Sequence, residues 1–304
     1  MDKLIKVADG FHFLEGPRWH ENKLWFSDMH GYKVHNLDAD GNLSTLAEIP
    51  EQPSGLGWLP DGSLIIVSML DRKLMKLKDG ELSIHADMSD LTPYQCNDMV
   101  IAKDGTAYVG NFGTDSVESK IHKTCLISVT QEGETKICAD GLLFPNGTVI
   151  SPDGKELIVG ETFGGNLTSF QINESGELSH RTIWARVMPL HFKIITSIIR
   201  FLNIPLKESN STPFPVPDGI CLDSDNGIWV ASPTTAEVIR YKKGGKITDR
   251  IATPHPAYAC MLGGKDEKEL YILTAESSIP QFCKANKTGE IYKVEVDYER
   301  AGEP

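Results

Sequence analysis

Residues 146–161 read NGTVISPDGKELIVGE, in which two short apolar runs flank the turn sequence SPDG. Two apolar runs of this length on either side of a glycine-containing polar turn are typical of a β-hairpin. Similar stretches are EGPRWHENKLWFSD (15–28), SGLGWLPDGSLIIVS (54–68), NDMVIAKDGTAYVGN (97–111), DGICLDSDNGIWVAS (218–232) and, more weakly, ACMLGGKDEKELYILTA (259–275). The chain therefore contains six copies of one unit built from a strand, a turn and a strand.

The starts of the six copies are separated by 39, 43, 49, 72 and 41 residues. Repeats of about 40 residues with several short strands each are typical of propeller blades. We therefore predict an all-β fold, a six-bladed β-propeller, in which residues 1–304 form one domain. Because the last copy offers only three obvious strands, residues 1–9 are expected to supply the closing outer strand.

The composition narrows the classes of function. Of the 304 residues, 40% are hydrophobic and the formal net charge is −12, as expected for a soluble globular protein without the basic surface that nucleic-acid binding needs. The six cysteines form no CxxC pair and the N-terminus lacks the apolar core of a signal peptide. We therefore expect a cytoplasmic protein, monomeric or dimeric, with reduced thiols, no transmembrane segment and a small-molecule substrate.

The interval of 72 residues between the fourth and fifth copies exceeds the others by about 30 residues. The excess covers residues 186–216, where apolar residues recur at helical spacing: Ile194, Ile195, Ile198, Ile199 and Leu202. This pattern predicts a helical insertion between blades 4 and 5, above the channel mouth. Such a helix could pack on the propeller rim, cover an apolar acyl pocket as a lid, or contact a membrane surface or a second subunit.

Propeller topology predicts which residues face the central channel. The first residues of the six copies should surround it: Glu15, Ser54, Asn97, Asn146, Asp218 and Ala259. A second ring should follow each second strand: Asp28, Ser68, Asn111, Glu161, Ser232 and Thr274. The first ring brings together two carboxylates and two amide oxygens, an all-oxygen ligand set that suits a hard divalent cation. Each of these side chains could instead cap its own turn.

These residues resemble a known family. EGPRW (15–19), ND (97–98), FPNG (144–147) and PDG (217–219) are similar to the motifs of the senescence-marker protein/gluconolactonase/luciferin-regenerating-enzyme family of regucalcin-like propellers. The resemblance implies that Glu15, Asn97, Asn146 and Asp218 bind one divalent metal ion, first of all Ca²⁺, with Zn²⁺, Mn²⁺ and Mg²⁺ as alternatives. It further implies a metal-dependent lactonase, a hydrolase acting on ester bonds, with Asp218 as catalytic base or nucleophile.

The same four residues also resemble the ligands of the six-bladed phosphotriesterase diisopropyl fluorophosphatase, so phosphotriesterase activity is an alternative, as is a non-catalytic calcium-binding or ligand-binding propeller. Gluconolactonase-type members carry an arginine two residues before the matched asparagine, and this chain has Gln95 there. That departure weighs against a polyhydroxylated aldonolactone. The residues expected to contact the substrate are Gln95, Asn97, Asn111 and Glu161.

Overall fold

The computed structural model describes residues 3–114, 120–189 and 214–304, and within them the chain forms six four-stranded antiparallel sheets. Blade 1 contains β2 (Leu14–His20), β3 (Lys23–Asp28), β4 (Lys33–Leu37) and β5 (Leu43–Glu48). Blade 2 contains β6 (Pro53–Trp58), β7 (Leu64–Ser68), β8 (Lys73–Lys78) and β9 (Glu81–Asp87). Blade 3 contains β10 (Cys96–Ile101), β11 (Ala107–Asn111), β12 (Thr124–Val129) and β13 (Thr135–Leu142).

The second half of the chain repeats this order. Blade 4 contains β14 (Pro145–Ile150), β15 (Glu156–Glu161), β16 (Asn166–Ile172) and β17 (Leu178–Arg186). Blade 5 contains β18 (Ile220–Leu222), β19 (Ile228–Ser232), β20 (Glu237–Lys242) and β21 (Lys246–Ala252). Blade 6 contains β22 (Ala257–Gly263), β23 (Glu269–Thr274), β24 (Gly289–Glu295) and, as its fourth strand, β1 (Ile5–Phe11). The predicted six-bladed β-propeller is confirmed.

The first strand of each blade is the innermost, and each contacts the innermost strand of the next blade, with β22 contacting β2 to close the circle. In β14 all six residues are buried, whereas most residues of the outer strand β13 retain exposure. The core lies between blades, where Val149 of blade 4 packs in one cluster with Ile220 of blade 5. Strands covered on both faces carry nearly continuous apolar runs, as in β7 and β19, where every residue is buried.

The α-helix found in the described part of the chain is α1 (Pro280–Ala285), which lies between β23 and β24, and no helix there is long and apolar enough to cross a membrane. The predicted helical insertion at 186–216 lies, apart from 186–189 and 214–216, outside the described residues. All six cysteines are free thiols.

Candidate functional site

The four predicted metal ligands lie at one end of the inner strands. Glu15, Asn97 and Asn146 are each the second residue of their strand, and Asp218 lies two residues before β18. The backbone N–H of Asp218 donates to the carbonyl of Ala231, so this residue too is paired with its blade. None of the four side chains is more than 8% exposed. The topology thus places all four at the same end of the channel.

A line of hydrogen bonds joins three of these residues across blades 3, 4 and 5. The Asn97 Nδ2 donates to Asn146 Oδ1 at 2.9 Å, and the Asn146 Nδ2 donates to Asp218 Oδ1 at 2.5 Å. Blade 2 extends the line, because the Ser54 hydroxyl donates to Asn97 Oδ1 at 3.3 Å. Side chains that are 49 and 72 residues apart in sequence are therefore in direct contact. Turn capping alone would leave each amide bonded to its own loop.

A local break in strand pairing turns these side chains toward the channel. Pairing shifts register at or just after the ring position in five blades, for example between Glu15 and Arg18 and between Pro145 and Thr148. A bulge of this kind redirects a side chain without ending the strand. The following glycine then allows close contact between blades, since a Cβ on Gly147 would lie 2.5 Å from the Ile220 nitrogen. The NG in the sequence therefore reflects an interblade contact as well as a turn.

The two carboxyl groups strongly disfavour carrying charge together. Burial raises the pKa of Glu15 well above its ordinary value, and the nearby carboxylates of Asp218 and Asp98 add to the effect. Burial likewise raises the pKa of Asp218 to about 8, although the hydrogen bond from Asn146 opposes the shift. Two buried acids in this arrangement are stable together only when protons or a cation offset their charge.

Beside the ring lies the positively charged side chain of Arg18, which is paired with the carboxylate of Asp98. The Arg18 guanidinium donates to Asp98 Oδ1 at 2.6 Å and also to the carbonyls of Leu56 and Met99, with both charged side chains almost fully buried. This pair connects blades 1, 2 and 3 beside the ring. Arg18 lowers the pKa of Glu15 only slightly against the larger effect of burial. The guanidinium therefore does not replace a cation at the two acids.

The ring fits a hard divalent cation. Two carboxylates and two amide oxygens are the donors that Ca²⁺ and Mg²⁺ accept, and the two raised pKa values would fall beside a divalent charge. Among residues 3–114, 120–189 and 214–304 no three His, Cys, Asp or Glu side chains form a metal-binding cluster. A cation here would therefore depend on Asn97 and Asn146 as well as on the two acids.

One ring position differs from the prediction. In blade 1 Leu14 pairs with Asp28 and Glu15 follows it, and in blade 6 Ala257 pairs with Thr274 and Tyr258 follows it. Tyr258, not Ala259, is therefore the equivalent of Glu15. Burial, together with the charges of Asp218 and Glu15, raises the Tyr258 pKa, which agrees with a place beside them. The sequence repeat misassigned this position by one residue because it did not reveal the bulge.

The second predicted ring supports the loops of its own blades. Asn111 is fully buried, its Nδ2 donating to the Cys125 carbonyl at 2.8 Å and its Oδ1 accepting from the Thr124 hydroxyl. Glu161 accepts from the Leu143 N–H at 2.8 Å, and its other oxygen accepts from Thr168 at 2.5 Å and Arg181 at 3.2 Å. The polar atoms of both side chains are thus bonded within their own blades.

Gln95 is the remaining predicted substrate contact. It is half-buried, two residues before Asn97, and its carbonyl accepts from the Phe112 N–H at 3.0 Å. Thr162 is a ring neighbour that the sequence did not indicate. Its hydroxyl lies 3.1 Å from Asn146 Nδ2 and donates to the Pro217 carbonyl, so it connects the ring to the residue before Asp218. Its position directly after the second strand of blade 4 was the only signal in the sequence.

The chain is similar in sequence and in fold to proteins of one family. The family model described as SMP-30/Gluconolactonase/LRE-like region matches residues 13–276. A pentonolactonase of Haloferax volcanii is 24% identical over 266 residues, covering 86% of this chain and 81% of the relative. Solved structures with the same fold include a calcium-binding regucalcin of Agrobacterium tumefaciens (TM-score 0.77, 19% identity, 100% and 97% coverage) and a gluconolactonase of Xanthomonas campestris (TM-score 0.71, 21% identity, 97% and 89% coverage).

Proposed function

This chain belongs to the SMP-30/Gluconolactonase/LRE-like family, and we propose on that basis that it is a metal-dependent hydrolase that opens the ester ring of a lactone. The observation that carries the proposal is the convergence of Glu15, Asn97, Asn146 and Asp218 at one end of the channel. The relatives add support, because two of them are named as a pentonolactonase and a gluconolactonase. A third is named as calcium-binding.

We assign Glu15, Asn97, Asn146 and Asp218 as the residues that hold the cation. Ca²⁺ is the ion that best suits this oxygen ligand set, with Mg²⁺, Mn²⁺ and Zn²⁺ as alternatives for the assay. When bound, the ion supplies Lewis-acid polarisation of the ester carbonyl and stabilises negative charge on its oxygen.

Asp218 is the residue that we assign to the chemistry. As a general base, its carboxylate takes a proton from a water molecule, the water oxygen bonds to the carbonyl carbon, and the ring C–O bond breaks. The proton then goes to the leaving alkoxide, so that the product is a hydroxy acid. As a nucleophile, Asp218 would instead bond to the carbonyl carbon itself, and water would hydrolyse the acyl intermediate. In ¹⁸O-water the base route labels only the hydroxy acid, whereas a nucleophilic route in which water attacks the Asp218 carbonyl of the mixed anhydride places ¹⁸O in Asp218.

The residues around Asp218 position it. Asn146 donates to its carboxylate, and Thr162 is bonded both to Asn146 and to the Pro217 carbonyl. Asn97 is next in the line and is therefore placed to contact the substrate carbonyl or its neighbouring groups. We expect Asn97→Ala to raise KM and lower kcat together, while Thr162→Val should act mainly on kcat by loosening Asp218.

The test is a panel of lactones and organophosphate triesters assayed with Ca²⁺, Mg²⁺, Mn²⁺ and Zn²⁺. We expect lactone hydrolysis that is lost in excess EDTA, is restored by one of these ions, and is absent in Asp218→Ala with the fold retained by circular dichroism. Hydrolysis of triesters alone would replace the proposal with phosphotriesterase activity. Stoichiometric metal binding without any turnover would make the chain a binding protein, and full activity in EDTA would refute the role of the metal.

A further inference from the structure

Tyr258 belongs to the channel ring but is not among the four residues that we assign to the cation. It follows Ala257, which pairs with Thr274, and it therefore has the position in blade 6 that Glu15 has in blade 1. The innermost strand of blade 6 contacts those of blades 5 and 1. In the order of the blades, Tyr258 thus lies between Asp218 and Glu15, the two buried acids.

The backbone holds Tyr258 against the segment that carries Asp218. The Gly219 N–H donates to the Tyr258 carbonyl at 2.8 Å, and Gly219 follows Asp218 in the chain. A Cβ at Gly219 would lie 2.7 Å from the Ala259 Cα, so the two blades meet here without room for a side chain. Main-chain contacts between inner strands therefore fix the position of Tyr258 relative to Asp218.

Aromatic packing holds the side chain of Tyr258 in place. Its centroid lies 4.6 Å from that of Phe13 in an edge-to-face arrangement, and Tyr258 is only 5% exposed. Phe13 is two residues before Glu15, and its aromatic ring meets that of His30 at 5.9 Å. Edge-to-face pairs at such distances are favourable. The phenol is thus positioned before any substrate binds.

The hydroxyl end of Tyr258 lies near the two acids and an exposed serine. Burial raises the pKa of Tyr258 above its ordinary value of 10.0, a hydrogen bond with the Ser278 side chain opposes this rise, and the charges of Asp218 and Glu15 add to it. Ser278 is exposed. The phenol is therefore protonated at neutral pH and can donate a hydrogen bond or a proton.

The other polar side chains at the ring already donate to one another or to the backbone. Asn97 donates to Asn146, which in turn donates to Asp218. The Thr162 hydroxyl donates to a backbone carbonyl. Hydrolysis of an ester also needs a proton for the oxygen that leaves, and Tyr258 is a donor that these bonds do not use.

Building on the lactonase function above, we propose that Tyr258 is a second catalytic residue, the general acid that protonates the leaving ring oxygen of the lactone. Asp218 takes a proton from water, the water oxygen bonds to the carbonyl carbon, and the ring C–O bond breaks. The Tyr258 O–H bond breaks with it, and its proton goes to the leaving alkoxide. The proton on Asp218 then returns to the phenolate, so one lactone and one water give one hydroxy acid. Because a phenol is a stronger acid than an alcohol, the transfer is favourable.

The test compares two lactones with different leaving groups, δ-valerolactone, which releases an alkoxide, and 3,4-dihydrocoumarin, which releases a phenoxide. In the metal-loaded protein, Tyr258→Phe keeps the aromatic ring and removes only the hydroxyl. We expect kcat for δ-valerolactone to fall about a hundredfold or more, because the alkoxide needs the proton. For dihydrocoumarin it should fall less than about tenfold, because a phenoxide leaves without one. A purely structural role would lower both values alike.

Tyr271→Phe is the matched control, because it removes the hydroxyl of another buried tyrosine in blade 6. The Tyr271 hydroxyl bonds to Glu269 Oε2 at 2.9 Å, and its aromatic ring stacks on Trp19, at the other end of β2 from the channel ring. This variant should leave kcat for both lactones unchanged.

The affinity for Ca²⁺, measured by calorimetry, should be the same in Tyr258→Phe and in the wild type. A loss of Ca²⁺ binding in Tyr258→Phe would overturn the assignment, because the hydroxyl would then act on the cation and not on the leaving oxygen.

The outcomes separate this inference from the proposed function. Equal loss for both lactones, or no loss in Tyr258→Phe, would overturn the role of Tyr258 while the lactonase function stood. If the wild type hydrolyses no lactone, calorimetric binding of 5-hydroxypentanoate and of pentanoate in excess Ca²⁺ decides instead, because only the first has the hydroxyl that Tyr258 would contact. A preference of about fivefold for 5-hydroxypentanoate that is lost in Tyr258→Phe supports the contact, and equal binding or none refutes it.

Discussion

Asp218 and Glu15 are buried acids on different blades, and their negative charges repel each other across the channel. Both have raised pKa values, chiefly because of burial, and Asp98 contributes further repulsion to each. A divalent cation between them removes this conflict, and protonation removes it in the absence of metal. Metal and protons should therefore compete for the same site.

This competition predicts an unusual pH dependence of stability in EDTA. Asp218 has an ordinary pKa of 3.8 and a folded-state pKa of about 8, so between these values the folded chain holds a proton that the unfolded chain has released. The free energy of unfolding contributed by this group therefore falls as pH rises through that range. Asp218→Asn mimics the protonated acid at every pH.

We expect Asp218→Asn to exceed the wild type in stability slightly at pH 5 and by more at pH 8, both measured by urea unfolding in EDTA. Added Ca²⁺ should stabilise the wild type, more at pH 8 than at pH 5, and should not stabilise the variant. Identical pH profiles for the two proteins would show that the folded-state pKa of Asp218 is not raised.

Arg18 and Asp98 form the buried ion pair beside the ring, and removing one partner leaves the other charge without compensation. We expect Arg18→Met to lower the free energy of unfolding by about 3–5 kcal/mol. The double variant with Asp98→Asn should recover most of this loss, since it removes the unpaired carboxylate. Urea unfolding measures both, and a loss under about 1 kcal/mol for Arg18→Met would mean that water or another cation replaces the guanidinium.

For the site, the sequence identified some residues correctly and missed others. Glu15, Asn97, Asn146 and Asp218 recur at one position of a repeat, and repetition allowed them to be grouped. The prediction named Ala259 in place of Tyr258, because a bulge changes strand pairing without changing the hydrophobic pattern. Asn111 and Glu161 were expected at the channel, and their bonds to neighbouring strands depend on side-chain directions that spacing does not define.

At the level of elements, β1 provides the outer strand of blade 6 through its pairing with β24, for example Ile5 with Lys293. Leu4, Val7 and Ala8 pack on the adjoining core. Removing residues 1–9 would expose both the edge of β24 and part of that core.

We expect this deletion to lower the melting temperature by about 5 °C or more and to promote aggregation. Deleting only residues 1–3, which leaves β1 intact, is the control and should change the melting temperature little. Thermal unfolding followed by circular dichroism provides the measurement. An unchanged melting temperature after the longer deletion would show that β1 contributes little to closure.

The contact between β14 and the segment before β18 fixes the spacing of Asn146 and Asp218. A Cβ at Gly147 would lie 2.6 Å from the Asp218 carbonyl oxygen and 2.8 Å from the Gly219 Cα, so the blades would have to separate. We expect Gly147→Ala to lower the free energy of unfolding by about 1–3 kcal/mol. It should also weaken metal binding at least about tenfold, because a displacement of this size disrupts the ligand set. Urea unfolding and calorimetric Ca²⁺ titration measure the two effects.

Gly154→Ala is the matched control for that experiment. Gly154 is in the hairpin turn of the same blade with φ +73°, and a Cβ at this position would have no neighbouring atom within 4 Å. The substitution should cost about 1 kcal/mol of stability through its backbone conformation and leave metal affinity unchanged. Equal loss of metal affinity in both variants would indicate a general loosening of blade 4.

For the molecule as a whole, six copies of a unit of about 40 residues determine the number of blades, and closure follows because each inner strand can bury both faces only between two neighbours. The sequence therefore predicted the architecture well. It could not predict contacts between loops, since Phe112, Phe144 and Phe163 come from separate loops of the chain and meet only after the blades are assembled.

We propose that the ring holds one divalent cation on which lactone hydrolysis depends. Titrating EDTA-stripped protein with Ca²⁺ while recording hydrolysis of the best lactone in the panel tests it most directly. We expect activity to rise from background to saturation at one equivalent of Ca²⁺ per chain, and Glu15→Gln to lose binding and turnover together. Full activity in excess EDTA, or a Glu15→Gln variant that binds Ca²⁺ and turns over like the wild type, would contradict it.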